Sequence, residues 1–294
     1  LDKAESAGIL PAAVAVKSLA VVGRRSSVVT TREQACSMIY EVAENGVPYF
    51  RFESIPPERV AHGIFTRHGG ISPEPWSTLN FSITVGDSPE NVGRNRVLAQ
   101  EALGLGPSRL VDRYIAHTSR TWHVDERHLG VEAPYADGVV TSTPNLSLMM
   151  TFADCQPLLV YDPARHALGI AHAGWRGTLD GMALSLVRAM EAEGSRAPDL
   201  MAALGPAIGV CCYEVGEEVA ALARTWPEGE VWLTSGPNGR AHLDLTAANG
   251  AILGRAGVRH IEKADLCTAC RTDLFFSHRA ERQTGRFAML AALR

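Results

Sequence analysis

The stretch ADCQPLLVYDPARHALGIAHAGWRG, residues 153–177, sets Cys155 beside Asp154 and places His172 seventeen positions further on. Between them, PLLVYD and ALGIAHA read as two strands joined by the turn PARH. Paired positions of an antiparallel hairpin keep a constant index sum, so a turn centred near residue 164 sets Cys155 opposite positions 172 to 174. A thiolate and an imidazole at one hairpin end are good zinc donors, and a zinc site needs at least a third protein ligand, with an open fourth position if it is catalytic. Taken singly, Cys155 reads as a small buried hydrophobe and His172 as a satisfied core histidine. Their convergence, with Asp154 alongside and the turn Gly174-Trp175-Arg176-Gly177 just beyond, favours a chemical site.

The chain has ten histidines, and the third ligand is sought among the nine besides His172. His117 in YIAHTS ends a strand-like run as His172 does, whereas His123 and His128 lie in a more polar continuation and His166 sits at the far end of the hairpin. His242, His260 and His278 stay open as alternatives. A second constellation is FTRHGG, where Arg67 and His68 precede two glycines that let a ligand approach closely. Arginine forks suit phosphate or carboxylate, and Arg176 could add a second anion contact; the competing reading is a surface turn with a solvated charge. Cys267 and Cys270 in CTAC have metal or redox spacing, but no second CxxC accompanies them. The adjacent Cys211 and Cys212 are a poor substitute because neighbouring side chains tend to point apart, so core or loop thiols are expected here.

These residues must be held by a chain of 294 residues with 46% hydrophobic and 20% charged content, enough for a sizeable core. A net charge of -4 leaves no basic surplus for nucleic acid or an anionic membrane surface. Six cysteines do not form a dense disulfide framework, and the cytoplasm is the expected compartment. The apolar segment 8–23 is interrupted by Pro11 and Lys17 with no basic leader before it, and reads as an accessory N-terminal segment.

Residues 1–45 read as an N-terminal extension, partly helical or disordered, with an amphipathic helix over 30–46 that stops at Gly46. Residues 46–294 read as a single α+β domain. VAHGIF predicts a strand, 71–86 a loop followed by a strand, and 87–105 a helix opened by Ser88-Pro89. Short strands dominate from residue 110, followed by a helix over 178–194 with Thr178 as N-cap, and further alternation of strand and helix to the C-terminus.

The motifs TRHGG, STLNFS, GDSPENVGRNR, ADGVVT, ADCQPLLVYDP, IAHAGWRG, GPAIGVCCYEVG, LDLTAANGAIL and FFSHRAERQTGR, in this order over about four-fifths of the chain, resemble the YfiH family. That family is also called the multicopper polyphenol oxidase or laccase-domain family, and it includes purine nucleoside phosphorylase relatives. The resemblance implies a zinc site at Cys155, His172 and His117, although YIAHTS lacks the Gln-Val and glycine that usually surround the last. It also implies a layered α+β sandwich, with central mixed β-sheets and outer helices, similar to a cysteine-hydrolase toxin domain. The implied activity is phosphorolysis of adenosine, inosine and methylthioadenosine, together with adenosine deamination. Zinc can activate water for attack at the purine C6, with Asp154 or His68 as proton-transfer partner. Phosphorolysis needs bound phosphate and charge stabilisation, roles expected of Arg67 and Arg176, with Asn80 in the substrate site.

Three other readings compete. A copper-dependent polyphenol oxidase needs paired histidine motifs that are missing here, although copper could occupy a Cys-His-His site in vitro. A Cys-His hydrolase that edits peptidoglycan precursors would use Cys155 as nucleophile, which a bound metal would suppress. A binding protein with a structural zinc would need a fourth protein ligand. The preferred nucleoside and the oligomeric state are not legible in the sequence.

Overall fold

In the computed structural model the described residues are 38–112, 115–131 and 135–294, all within the compact unit Ala35–Arg294. The segment 8–23 and residues 30–37 of the expected first helix lie outside them.

Two six-stranded mixed sheets form the body. The first runs β1 (Met38–Val42), β2 (Pro48–Phe52), β3 (Val60–Phe65), β14 (Phe287–Leu293), β7 (Ser147–Phe152) and β4 (Leu110–Asp112). The second runs β13 (His260–Lys263), β10 (Met201–Leu204), β8 (Gln156–Asp162), β9 (Ala167–Ala173), β6 (Gly138–Thr141) and β5 (Thr121–His123). A small ribbon pairs β11 (Leu233–Ser235) with β12 (Ala241–Leu243). The helices are α1 (Pro89–Ala102), α2 (Trp175–Leu179), α3 (Met182–Ala192), α4 (Glu217–Ala223), α5 (Leu245–Arg255) and α6 (His278–Glu281).

The period-two alternation of the strands explains the layering. Phe52, Ile64, Leu148, Met150, Phe152 and Met289 of the first sheet share a core with Val139, Leu159, Tyr161, Leu168 and Ile170 of the second. The alternate residues Ala61, Phe65, Met149, Ala288 and Leu290 turn outward to Ala99 of α1, and Leu158, Val160 and Ala171 turn to Met182, Leu186 and Met190 of α3. The expected α+β sandwich is therefore four layers deep, helix on sheet on sheet on helix. Covering both faces leaves every residue of β8, β9 and β14 buried.

Local readings differ in three places. Residues 38–42 are an edge strand paired with β2, so a boundary at residue 45 cuts a hairpin. Gly46, which resembles a helix stop, has φ of 82° and lies in the turn of that hairpin, where its N–H donates to the Ala43 carbonyl. No strand forms over 77–86, because the Asn80 side-chain oxygen accepts from the main-chain N–H groups of Ser82 and Arg286, and Ser82 caps a single 3-10 turn at Ile83–Val85. The predicted helix 178–194 is two helices that break at Gly181, φ 83°; Thr178 is buried within α2 and accepts from the Asn249 amide. By contrast, Ser88 caps α1 with Pro89 behind it, as the sequence reads.

Candidate metal centre

The β8–β9 register pairs Gln156 with Ala173 and Pro157 with His172, so Cys155 stands one step past the last pair, opposite Gly174. A Cβ added at Gly174 would lie 2.9 Å from the Cys155 sulfur and 3.4 Å from the His117 ring, so only glycine leaves the thiol its place. His117 arrives from the loop before β5. Its ring lies 5.1 Å from that of His172, at 80° to it. One donor atom from each of His117, Cys155 and His172 falls within 4.8 Å of the other two, a set that could hold a metal ion. The index-sum pairing and the choice of His117 thus point to residues that meet in space.

Asp137, just ahead of β6 and fully buried, organises two of the three donors. Its Oδ1 lies 3.1 Å from His172 Nδ1. The same carboxylate accepts the main-chain N–H groups of Ala116, His117 and Thr118 and the Thr118 hydroxyl. Three successive N–H groups converging on one anion explain how His117 can hold a φ of 55°, an uncommon conformation for a non-glycine residue. With Nδ1–H donating to Asp137, His172 offers Nε2 as its lone-pair donor, the carboxylate–histidine pairing common behind metal ligands. Asp137 is absent from the sequence prediction; the signal available was the acid in ADGVVT.

The electrostatics follow from this packing. Burial opposes the Cys155 thiolate, yet the His172 charge and hydrogen bonds from both histidines outweigh it and bring the thiol down to about 6. Burial likewise opposes the His172 cation, while the Cys155 thiolate and Asp137 raise it to about 9. Burial would raise the Asp137 carboxyl, but His172 and the Thr118 donors hold it below its ordinary value.

The three donors open into a cavity of about 510 Å³ whose wall includes Phe81, Ile83, Arg96, Met150, His278 and Arg286. This is within the roughly 300–1,000 Å³ typical of small-molecule sites. The other predicted residues do not line it. Arg67 donates to the Thr272 carbonyl and Glu281 and stacks on Phe276, and His68 bonds the Asp273 carbonyl. Asp154 accepts from Thr268 and Ser277 hydroxyls and from the Arg279 N–H, so its oxygens serve the fold. Arg176 is exposed and lies over Trp175, and Asn80 is buried with its amide on Asp87 and the Ser82 carbonyl. Their charge or amide groups are taken up by their own chain, a partner that a short motif does not reveal.

Arg286 and Arg96, which sequence reasoning missed, line the cavity together with His278, which it had kept open only as an alternative metal ligand. Arg286 follows the glycine of QTGR and donates to the Thr284 and Gly285 carbonyls. His278 Nδ1 bonds the Arg282 carbonyl, which directs its Nε2 elsewhere. Cys267 and Cys270, expected as separate core or loop thiols, gather instead with Cys211 and Cys212 in a second group.

Comparison with known proteins places these features in a family. Residues 61–294 match the model described as multi-copper polyphenol oxidoreductase laccase. The chain is 37% identical over 235 residues to purine nucleoside phosphorylase YlmD of Geobacillus stearothermophilus, covering 76% of this chain and 85% of that protein. It is 37% identical over 240 residues to purine nucleoside phosphorylase ORF3 of Streptomyces griseus, covering 78% and 92% respectively. The crystal structure of YlmD from Geobacillus stearothermophilus superposes with a TM-score of 0.80 at 35% identity, over 84% of this chain and 96% of that one.

Proposed function

The chain belongs to the multi-copper polyphenol oxidoreductase laccase family, and from that premise we propose that it is a zinc-dependent purine nucleoside phosphorylase. The observation that carries this reading is the His117, Cys155 and His172 donor set opening into a cavity that also presents Arg286, Arg96 and His278. Two imidazoles and one thiolate suit zinc, and a zinc held by three protein ligands would keep a fourth position open. Bound there, zinc would supply Lewis-acid polarisation of a substrate oxygen or of water.

The protein's own residues account for the rest of the reaction. Inorganic phosphate is held by Arg286, whose charge orients one oxygen toward the ribose anomeric carbon, while Arg96 stands in the same wall with its guanidinium paired to Asp112 at 2.8 Å. The new C1′–O bond forms as the C1′–N9 bond breaks, and its electron pair leaves with the purine. His278, in the cavity wall with Nδ1 on the Arg282 carbonyl, has Nε2 left to give the departing purine its proton. Phe81, Ile83 and Met150 provide apolar wall against the purine face and exclude water. The products are free base and ribose 1-phosphate; adenosine, inosine and methylthioadenosine are the proposed substrates. Adenosine deamination, in which water replaces the 6-amino group, would use the same donor set. Five free thiols among the described residues suit a reducing cytoplasm, and no helix there is long and apolar enough to cross a membrane.

A second reading has a specific observation in its favour: without metal, Cys155, His172 and Asp137 form a Cys-His-Asp constellation of the kind used by thiol hydrolases. Incubating purified protein with each nucleoside, with and without phosphate, and resolving bases from nucleosides separates the two. Phosphate-dependent release of adenine or hypoxanthine supports the phosphorylase. Its absence in zinc-loaded protein defeats that reading.

A further inference from the structure

The described residues bring four cysteines together on the side of the second sheet opposite the hairpin's closed turn. Cys211 and Cys212 occupy the turn between β10 and α4, and Cys267 and Cys270 bracket the turn that follows β13. The two segments are brought together by the parallel pairing of β10 with β13, which continues as a parallel bridge between Ala207 and Cys267. One sulfur from each of the four lies within 4.8 Å of the others. Cys270 is 3.5 Å from the Cys211 sulfur and 3.4 Å from that of Cys212.

We propose that Cys211, Cys212, Cys267 and Cys270 form a second metal site, a closed tetrathiolate shell for structural zinc, separate from the His117, Cys155 and His172 centre. Four sulfurs about 2.3 Å from a tetrahedral zinc stand roughly 3.8 Å apart, close to the spacing found here, whereas a disulfide needs about 2.05 Å. All four are free thiols. The turn also carries features of a thiolate cradle. The Gly209 N–H donates to the Cys267 sulfur at 3.1 Å, and a Cβ at Gly209 would press on the Cys211 sulfur at 3.2 Å. The tight turn over residues 210–212 reverses the chain, which is how adjacent thiols converge despite their neighbouring positions.

Four protein donors leave no position for substrate, so the ion would act on structure. Its first effect is on the other centre. Thr268, between the two ligands of the CxxC turn, donates to the Asp154 carboxylate at 2.7 Å, and Ile208 N–H donates to the Asp154 carbonyl at 2.8 Å. Asp154, at φ 91°, immediately precedes Cys155. Zinc at the tetrathiolate would therefore lock both segments that grip the residue before the donor thiol of the first centre.

The test is metal analysis of full-length protein purified under reducing conditions without chelator, with cobalt substitution as a second readout. Wild type is expected to hold two zinc ions per chain, and C267S/C270S and C155A one each. C155A loaded with cobalt should retain an intense sulfur-to-metal charge-transfer band, because that band needs thiolates and Cys155 is gone. C155A keeps the tetrathiolate residues, so this arm stands even where C267S/C270S fails to fold. C155A that holds no zinc, shows no such band and offers all four thiols freely to a thiol reagent would overturn the proposal. So would an intact mass two or four daltons low, which reports disulfides in place of thiolates.

Discussion

His172 Nδ1 and Asp137 Oδ1 lie 3.1 Å apart inside the protein, and the acid of this pair also anchors the turn that carries His117. One carboxylate thus fixes both the ring orientation of one donor and the backbone of another. Asp137→Asn keeps the size but cannot accept all of these hydrogen bonds. Metal affinity is expected to fall about 10- to 100-fold, read by competition with a zinc chelator. Asp137→Ala, which strands a buried imidazole, should cost about 3 kcal/mol in denaturant unfolding of the metal-free protein.

Gly174→Ala tests how closely the hairpin end fits the thiol. The added methyl would stand 2.9 Å from the Cys155 sulfur and must push it off its position. Zinc content should drop well below stoichiometric while circular dichroism stays native. Gly93 in α1 is the control, because a Cβ there meets nothing within 4 Å. Gly93→Ala should leave zinc unchanged and stabilise the fold by about 0.5–1 kcal/mol.

Metal binding should release a proton from His172. In the metal-free chain that imidazole is raised to about 9, so below this pH it carries the proton a cation must displace. Apparent affinity should therefore rise about tenfold per pH unit between 7 and 9, and calorimetry in buffers of different ionisation enthalpy should report the released proton. Asp137 has the opposite sign. Its carboxyl is held below the ordinary value, so its contribution to stability is present above that value and lost as pH falls through the lowered one. The acid limb of unfolding should shift to higher pH when His172 is replaced by alanine.

Arg286→Ala is expected to raise KM for phosphate at least tenfold with a smaller effect on KM for the nucleoside. Arg176→Ala should leave both within twofold, because its guanidinium lies over Trp175 outside the cavity wall. Steady-state kinetics with phosphate varied at saturating inosine would separate the two arginines; equal effects would show that the cavity wall does not define the anion site.

How much of this was legible depended on whether a residue's role is set by local period or by distant chain. Cys155 and His172 could be brought together because antiparallel register is arithmetic, and Pro157 does pair with His172. Asp137 could not, since its role depends on a turn of three N–H groups twenty residues earlier. The four-cysteine group was hidden because its halves meet only through the β10–β13 pairing. Arg67 and His68 looked like ligand contacts since a glycine turn that binds substrate and one that binds the protein's own carbonyls read alike. The α+β class was legible from the apolar runs and the layered sandwich only through the family resemblance, while Met38–Val42 was not legible, because a five-residue edge strand with an exposed Tyr40 carries little periodic signal.

β8 and β9 have no solvent-facing side. His172 on β9, and Cys155 one residue ahead of β8, are thus held by strands that cannot slide without repacking two layers at once, whereas Phe81, Ile83 and Thr84 of the cavity wall come from a loop and its 3-10 turn outside the sheets. One stretch of the wall, residues 81–84, is therefore independent of the strands that hold two of the donors. Exchanging residues 81–84 would reshape that part of the cavity without touching His117, Cys155 or His172.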